Sequence, residues 1–137
     1  MKWIKGEEMP DTGRLGEDIA ARYLIEKGFS VITRNYRKKW GEIDIVAARH
    51  GEVHFVEVKS VSCEIQSGSQ EEISRITSRY QPEERVHEHK SKRLLRTIET
   101  YLAEKKEERE WTFDVLAVFL DPEHKRAFVR LLENALS

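Results

Sequence analysis

Apolar positions along the chain switch between two periods. Ala20, Ala21 and Leu24 share one helical stripe with Glu17, which predicts a helix from about Gly13 to Lys27. Asp11 or Thr12 is its cap and Gly28 its stop. Residues 29–37 read as a strand, and Lys38-Lys39-Trp40-Gly41 turns the chain. Alternating segments near 42–49 and 52–60 form a hairpin, with Gly51 supplying the positive φ of a tight turn. Leu94, Ile98, Tyr101 and Leu102 recur at helical spacing and predict a second helix from about His87 to Lys106. Trp111–Leu120 is nearly all apolar after Asp114, the mark of a strand buried on both faces. Asp121-Pro122-Glu123-His124 then turns the chain into a last strand near Arg126–Leu132. The predicted order is α-β-β-β-α-β-β, an α/β fold on a mixed sheet.

Two stretches fall outside this pattern. Residues 1–11 read as a flexible leader, which leaves 12–137 as a single domain. Residues 61–85 are rich in Ser, Gln and Glu with few apolar anchors; they predict a long loop with a short helix at Glu71–Tyr80.

Composition narrows the function classes. The 137 residues are 39% hydrophobic and 36% charged, with 24 Lys+Arg against 25 Asp+Glu and a net charge of -1. No global positive field draws this chain to nucleic acid, so such binding has to come from a local patch. Cys63 is the only cysteine, which excludes an intrachain disulfide and fits a reducing compartment. No apolar run is long enough to span a bilayer. These features predict a cytoplasmic protein without a membrane partner.

The hairpin carries the candidate chemistry. Paired about His50-Gly51, Asp44 falls opposite Glu57 and Glu42 opposite Lys59. Like charges facing each other across an antiparallel pair destabilise a sheet. A cation between Asp44 and Glu57 removes that conflict. Mg²⁺ suits the position, because it prefers oxygen ligands, keeps several waters and engages phosphate; Mn²⁺ is the alternative. Asp44 and Glu57 are the expected metal ligands, with the Val58 carbonyl as a third oxygen. Lys59 is expected to orient the attacking water or to neutralise charge on the transition state. Glu42 is expected to hold Lys59 or to act as an outer ligand. Alternation puts Ile43, Ile45, Val56 and Val58 on one face and the charges on the other. The competing reading is a surface hairpin with cross-strand ion pairs, which explains Glu42 with Lys59 but not Asp44 opposite Glu57.

Glu17 is a carboxylate inside an apolar stripe, positioned to reach toward a metal-bound water. The alternative is a first-turn Glu favoured by the helix dipole. Arg34, Arg37, Lys38 and Lys39 precede the hairpin and form the expected phosphate-binding segment, with Tyr36 and Trp40 interleaved as stacking surfaces. Lys90 is a further expected phosphate contact at the start of the second helix, set against a lysine that snorkels to solvent. Arg75 and Arg79 lie in the long loop, which would fold over a substrate.

Asp44 followed by Glu57-Val58-Lys59 resembles the PD-(D/E)xK, or restriction-endonuclease-like, nucleases, with twelve residues between the two acids. A longer series resembles the YraN-type family of small bacterial proteins. It comprises Gly13-Arg14-Leu15-Gly16-Glu17, Asn35-Tyr36-Arg37, Gly41-Glu42-Ile43-Asp44, Phe55-Val56-Glu57-Val58-Lys59, Phe113-Asp114-Val115 and Glu133-Asn134-Ala135. This resemblance implies a restriction-endonuclease-like fold similar to archaeal Holliday-junction resolvases. It places Glu17, Asp44, Glu57 and Lys59 in the catalytic positions. It also implies a DNA substrate, branched by analogy, and a homodimer. Ser60-Val61-Ser62 departs from the family, which usually has a basic residue soon after the motif lysine. Two further readings stay open: a nucleic-acid-binding module with a vestigial site, and a protein-interaction domain that uses the hairpin charges and the long loop.

Overall fold

The computed structural model describes residues 12–79 and 88–136. The expected leader therefore lies outside the described residues. Helix α1 spans Thr12–Glu26, followed by β1 (Ser30–Lys38), β2 (Gly41–Arg49) and β3 (Glu52–Ser62). Helices α2 (Gln70–Arg79) and α3 (Glu88–Lys105) precede β4 (Trp111–Asp121) and β5 (Arg126–Leu132). The strands form one five-stranded sheet in the order β1-β2-β3-β4-β5. Only the β3–β4 pairing is parallel, so the sheet is mixed and the fold is α/β.

Local chemistry sets the element ends. Gly28 takes φ 91° and lets the chain leave α1, and Phe29 donates its N–H back to the Leu24 carbonyl at 2.9 Å. His50 and Gly51 take φ 52° and 76°, the two positive values of a tight hairpin turn, which sets Arg49 opposite Glu52. The short helix expected at Glu71–Tyr80 is present as α2, and β3 runs on to Ser62, past the expected start of the loop at residue 61. Ser69 caps α2 by accepting the Glu72 N–H at 3.2 Å. The Glu72 carboxylate in turn accepts the backbone N–H groups of Gln66, Ser67 and Gly68. Those bonds hold its carboxyl below the usual range. Arg75 and Arg79, expected on a substrate-covering loop, belong instead to this helix and line a small cavity beside Cys63.

The helices cover both faces of the sheet. Leu15, Ile19, Ala20 and Leu24 of α1 pack on Ile45, Val56, Leu116, Val118 and Leu120. Across the sheet, Ile98 and Tyr101 of α3 pack on Ile43, Val46, Phe55, Phe113 and Val115. Ile76 of α2 extends this second layer over Ala117 and Phe119. Strand β4 is thus buried on both faces, as its unbroken apolar run predicts. Each large side chain buried in these layers contributes about 1.5–3 kcal/mol. Among the described residues no helix is long and apolar enough to cross a membrane.

One expectation about faces is corrected. Ile43 does not share a face with Ile45, Val56 and Val58; it packs under α3 while they pack under α1. The cause lies at Asn35, which takes φ 55°. The β1–β2 register runs through Arg34↔Ile45 to Tyr36↔Ile43 and passes over Asn35 and Asp44. Alternation fails there in both strands. Arg34 accordingly reaches Asp18 on α1 at 2.8 Å, while the Tyr36 hydroxyl donates to Glu104 on α3.

Candidate functional site

The break in alternation builds the site. The β2–β3 ladder holds from Arg49↔Glu52 to Ile45↔Val56 and stops one pair short of Asp44 and Glu57. Beyond that point β3 stays with β4, in register through Ser62↔Leu120. Strands β2 and β3 therefore part at the two acids, and the Val58 N–H, with no β2 carbonyl opposite it, donates to Asp44 Oδ2 at 2.7 Å.

A cavity of about 410 Å³ opens in the fork. Asp44, Glu57 and Glu42 line it from the strands, with Val58 and Ser60, and Glu17 and Gly13 line it from α1. Glu17 stands in the second turn of its helix, half-buried above the stripe of Ala20, Ala21 and Leu24. The first-turn explanation for Glu17 therefore fails. The close approach of α1 to β3 depends on Gly16, where a Cβ would meet Ser60 Oγ at 1.8 Å.

The electrostatics follow from this crowding. Burial pushes the Asp44 carboxyl up to about 6, and the charges of Glu17, Glu57 and Glu42 add to the effect against the Val58 hydrogen bond. Burial also raises Glu17, helped by Glu42 and Asp18 and opposed by Arg34 and Arg37. With Asp44 and Glu17 both pushed toward the protonated form, the cavity is a ready acceptor for a proton or a cation.

Among the described residues no three His, Cys, Asp or Glu side chains stand as a preformed metal-ligand group. The donor set still suits Mg²⁺, which is commonly held by one or two carboxylates together with waters and substrate phosphate. Asp44 and Glu57 are the two carboxylates that would hold it.

Other expected site residues are placed less centrally. The Glu42–Lys59 pair does not form, because the ladder that would align them has already ended. Glu42 pairs with Arg37 at 3.2 Å instead. Lys59 is half-buried, opposite Ala117 of β4, and is not among the residues that line the cavity. Arg34 is paired with Asp18, and Lys38 with Glu104 at 2.7 Å. Lys39 is exposed at the start of the turn from β1 into β2. The side chain of Lys90 lies outside the described residues.

Sequence reasoning missed Gly13 and Ser60 as cavity walls, and Gly16 as the residue that lets α1 approach. It also missed Gly41, where a Cβ would meet Thr97 Oγ1 of α3 at 2.5 Å. A signal existed, since Gly16 and Gly41 each directly precede a candidate acid.

The chain has relatives among known proteins. Residues 16–118 match the uncharacterised protein family UPF0102. A UPF0102 protein of Campylobacter lari is 34% identical over 122 residues, covering 89% of this chain and 90% of the relative. One from Moorella thermoacetica is 36% identical over 124 residues, covering 90% and 92%. Another, from Syntrophotalea carbinolica, is 40% identical over 107 residues, covering 77% and 76%. With most of its length matched, the chain belongs to family UPF0102, the YraN-type family that its motifs resemble.

Proposed function

We propose that this protein is a metal-dependent endonuclease that hydrolyses phosphodiester bonds in nucleic acid, with DNA as the substrate and Mg²⁺ or Mn²⁺ as the cofactor. The observation that carries the reading is the fork at Asp44. One half-buried carboxylate is fixed by a backbone N–H and surrounded by three further acids, at a cavity of about 410 Å³. A structural role gains nothing from that repulsion, whereas a cation relieves it.

When bound, the metal supplies Lewis acidity to the phosphate and lowers the pKa of a water. Asp44 and Glu57 would hold it. Glu17, on the opposite wall, would orient the attacking water and take its proton. The water oxygen would add to phosphorus, one P–O ester bond would break, and the leaving oxygen would take a proton from solvent. Lys59, which follows Val58 on β3, would swing its ammonium toward the fork and neutralise charge on the phosphorane-like transition state. Arg37 and Lys39 contact the flanking phosphates.

The test is cleavage of labelled branched, flapped, single-stranded and duplex DNA in Mn²⁺ or Mg²⁺. Wild type cuts at least one of these. Asp44→Asn and Lys59→Ala each lose a hundredfold or more in rate, and Lys59→Ala keeps much of its binding. Equal cleavage by either variant would contradict the reading.

A second reading, a nucleic-acid-binding module with a vestigial site, is favoured by one observation: Lys59 does not line the cavity. It is distinguished by binding in wild type without cleavage of any substrate in either metal.

A further inference from the structure

Two of the four acids that line the fork also line a second cavity, of about 320 Å³, on the α3 face of the sheet. Glu42 and Glu57 form its boundary with the first cavity, Leu94 and Phe113 give it apolar walls, and Trp40 and Arg93 complete its rim. Its volume falls within the range of small-ligand pockets, about 300–1,000 Å³.

Trp40 is the informative wall. Its indole Nε1 is buried with no hydrogen-bond partner among the described residues. A buried indole N–H normally finds an acceptor. Arg96 packs over the Trp40 ring at 4.0 Å and fixes its orientation. Tyr36, the other aromatic of the same segment, is already engaged by Glu104 and by the edge of Tyr101. The pocket therefore presents a fixed indole ring at Trp40, a carboxylate acceptor at Glu42 and apolar walls at Leu94 and Phe113. A nucleobase has the complementary features: a π-face and, in adenine, cytosine and guanine, an exocyclic amine donor.

We propose that this cavity receives one unpaired nucleobase of the substrate strand, next to the phosphate held at Asp44. The inference rests on the nuclease reading and specifies its substrate. A base can enter only if it is unstacked and unpaired, which is costly in perfect duplex and cheap in single strands, flaps and junctions. Arg93, exposed on the rim, contacts the phosphate of the same nucleotide.

The test is equilibrium binding of the full chain, in EDTA, to one oligonucleotide carrying 2-aminopurine, presented as a single strand and as a perfect duplex. The proteins are wild type, Trp40→Phe and Leu94→Glu, with melting midpoints as fold controls. The single strand is expected to bind at least tenfold tighter than the duplex, with a change in 2-aminopurine emission. Trp40→Phe, which reduces the aromatic wall from an indole to a single ring, weakens single-strand binding about fivefold and leaves duplex binding unchanged. Leu94→Glu, which places a charge on the apolar wall, abolishes the emission change. Equal binding of both DNA forms by all three proteins overturns the pocket but leaves the nuclease reading standing. No binding of either DNA by wild type overturns both.

Discussion

Val58 donates its backbone N–H to Asp44 Oδ2 at 2.7 Å, at the point where β2 and β3 stop pairing. The bond substitutes for a missing rung of the ladder and fixes the carboxylate in the fork. It also sets two opposing influences on one group, since the N–H favours the charged form while burial and three neighbouring acids oppose it.

That opposition makes stability depend on pH. The Asp44 carboxyl lies at about 6 in the fold against an ordinary 3.8. Between those values the folded chain keeps a proton that the unfolded chain loses, so this group's contribution to stability falls as pH rises through the window. In EDTA at pH 7.5, Asp44→Asn is expected to be more stable than wild type by about 1–3 kcal/mol. The advantage shrinks to nothing near pH 4. Denaturant unfolding across pH checks this, and a variant less stable at every pH would contradict it.

Helix α1 reaches the fork because Gly16 passes over Ser60. A Cβ at Gly16 would lie 1.8 Å from Ser60 Oγ and 3.1 Å from Ser60 Cβ. Gly16→Ala is expected to cost about 1–3 kcal/mol by overpacking, and it should displace Glu17 and slow any metal-dependent cleavage. Adding Ser60→Gly restores much of the loss. A double-mutant cycle measures the coupling; simple additivity would show that the two residues do not limit the approach.

The basic segment divides by what already occupies its charges. Arg34 and Lys38 are tied to Asp18 and Glu104, whereas Arg37 is only loosely paired and Lys39 is exposed. Arg37→Ala with Lys39→Ala should weaken DNA binding across all sequences. It should also reduce the salt slope by about one for each phosphate that the variant leaves unneutralised. Titrations at several salt concentrations decide this. An unchanged slope would move the phosphate-binding surface elsewhere.

Asp114 is fully buried and accepts from three groups: His54 Nδ1 at 2.7 Å, the Asn134 N–H at 3.0 Å and the Thr112 hydroxyl at 3.3 Å. It ties β3 and the C-terminal segment to β4. Asp114→Ala leaves these donors without their acceptor and should cost about 3–5 kcal/mol, measured by chemical denaturation. A loss under about 1 kcal/mol would deny the clamp.

The sequence made the frame of this fold readable. The His50-Gly51 turn set the hairpin register by turn geometry alone, and the β4 run announced its burial. The α2 helix was legible too, within an otherwise polar stretch, and Ser69 with Glu72 marks its start. The site was legible as a set of acids but not as a geometry. Asp44 and Glu57 looked like a cross-strand pair, because strict alternation hides a kink made by one asparagine with positive φ at position 35. Beyond the fork β3 keeps only its pairing with β4, on its other edge. That is a long-range choice, absent from any local pattern. The pairing of Glu42 with Arg37 rather than Lys59 follows from the same event.

The central claim is that the fork at Asp44 holds a divalent cation. The most direct measurement is the melting midpoint of wild type and Asp44→Asn in EDTA and in millimolar Mn²⁺, at pH 7.5 and pH 5. A cation that binds only the fold raises the wild-type midpoint by several degrees at pH 7.5. The rise is smaller at pH 5, where protons compete for Asp44, and it is absent in Asp44→Asn. A wild-type midpoint indifferent to Mn²⁺ at both pH values, or an equal rise in the variant, would contradict a metal site at Asp44.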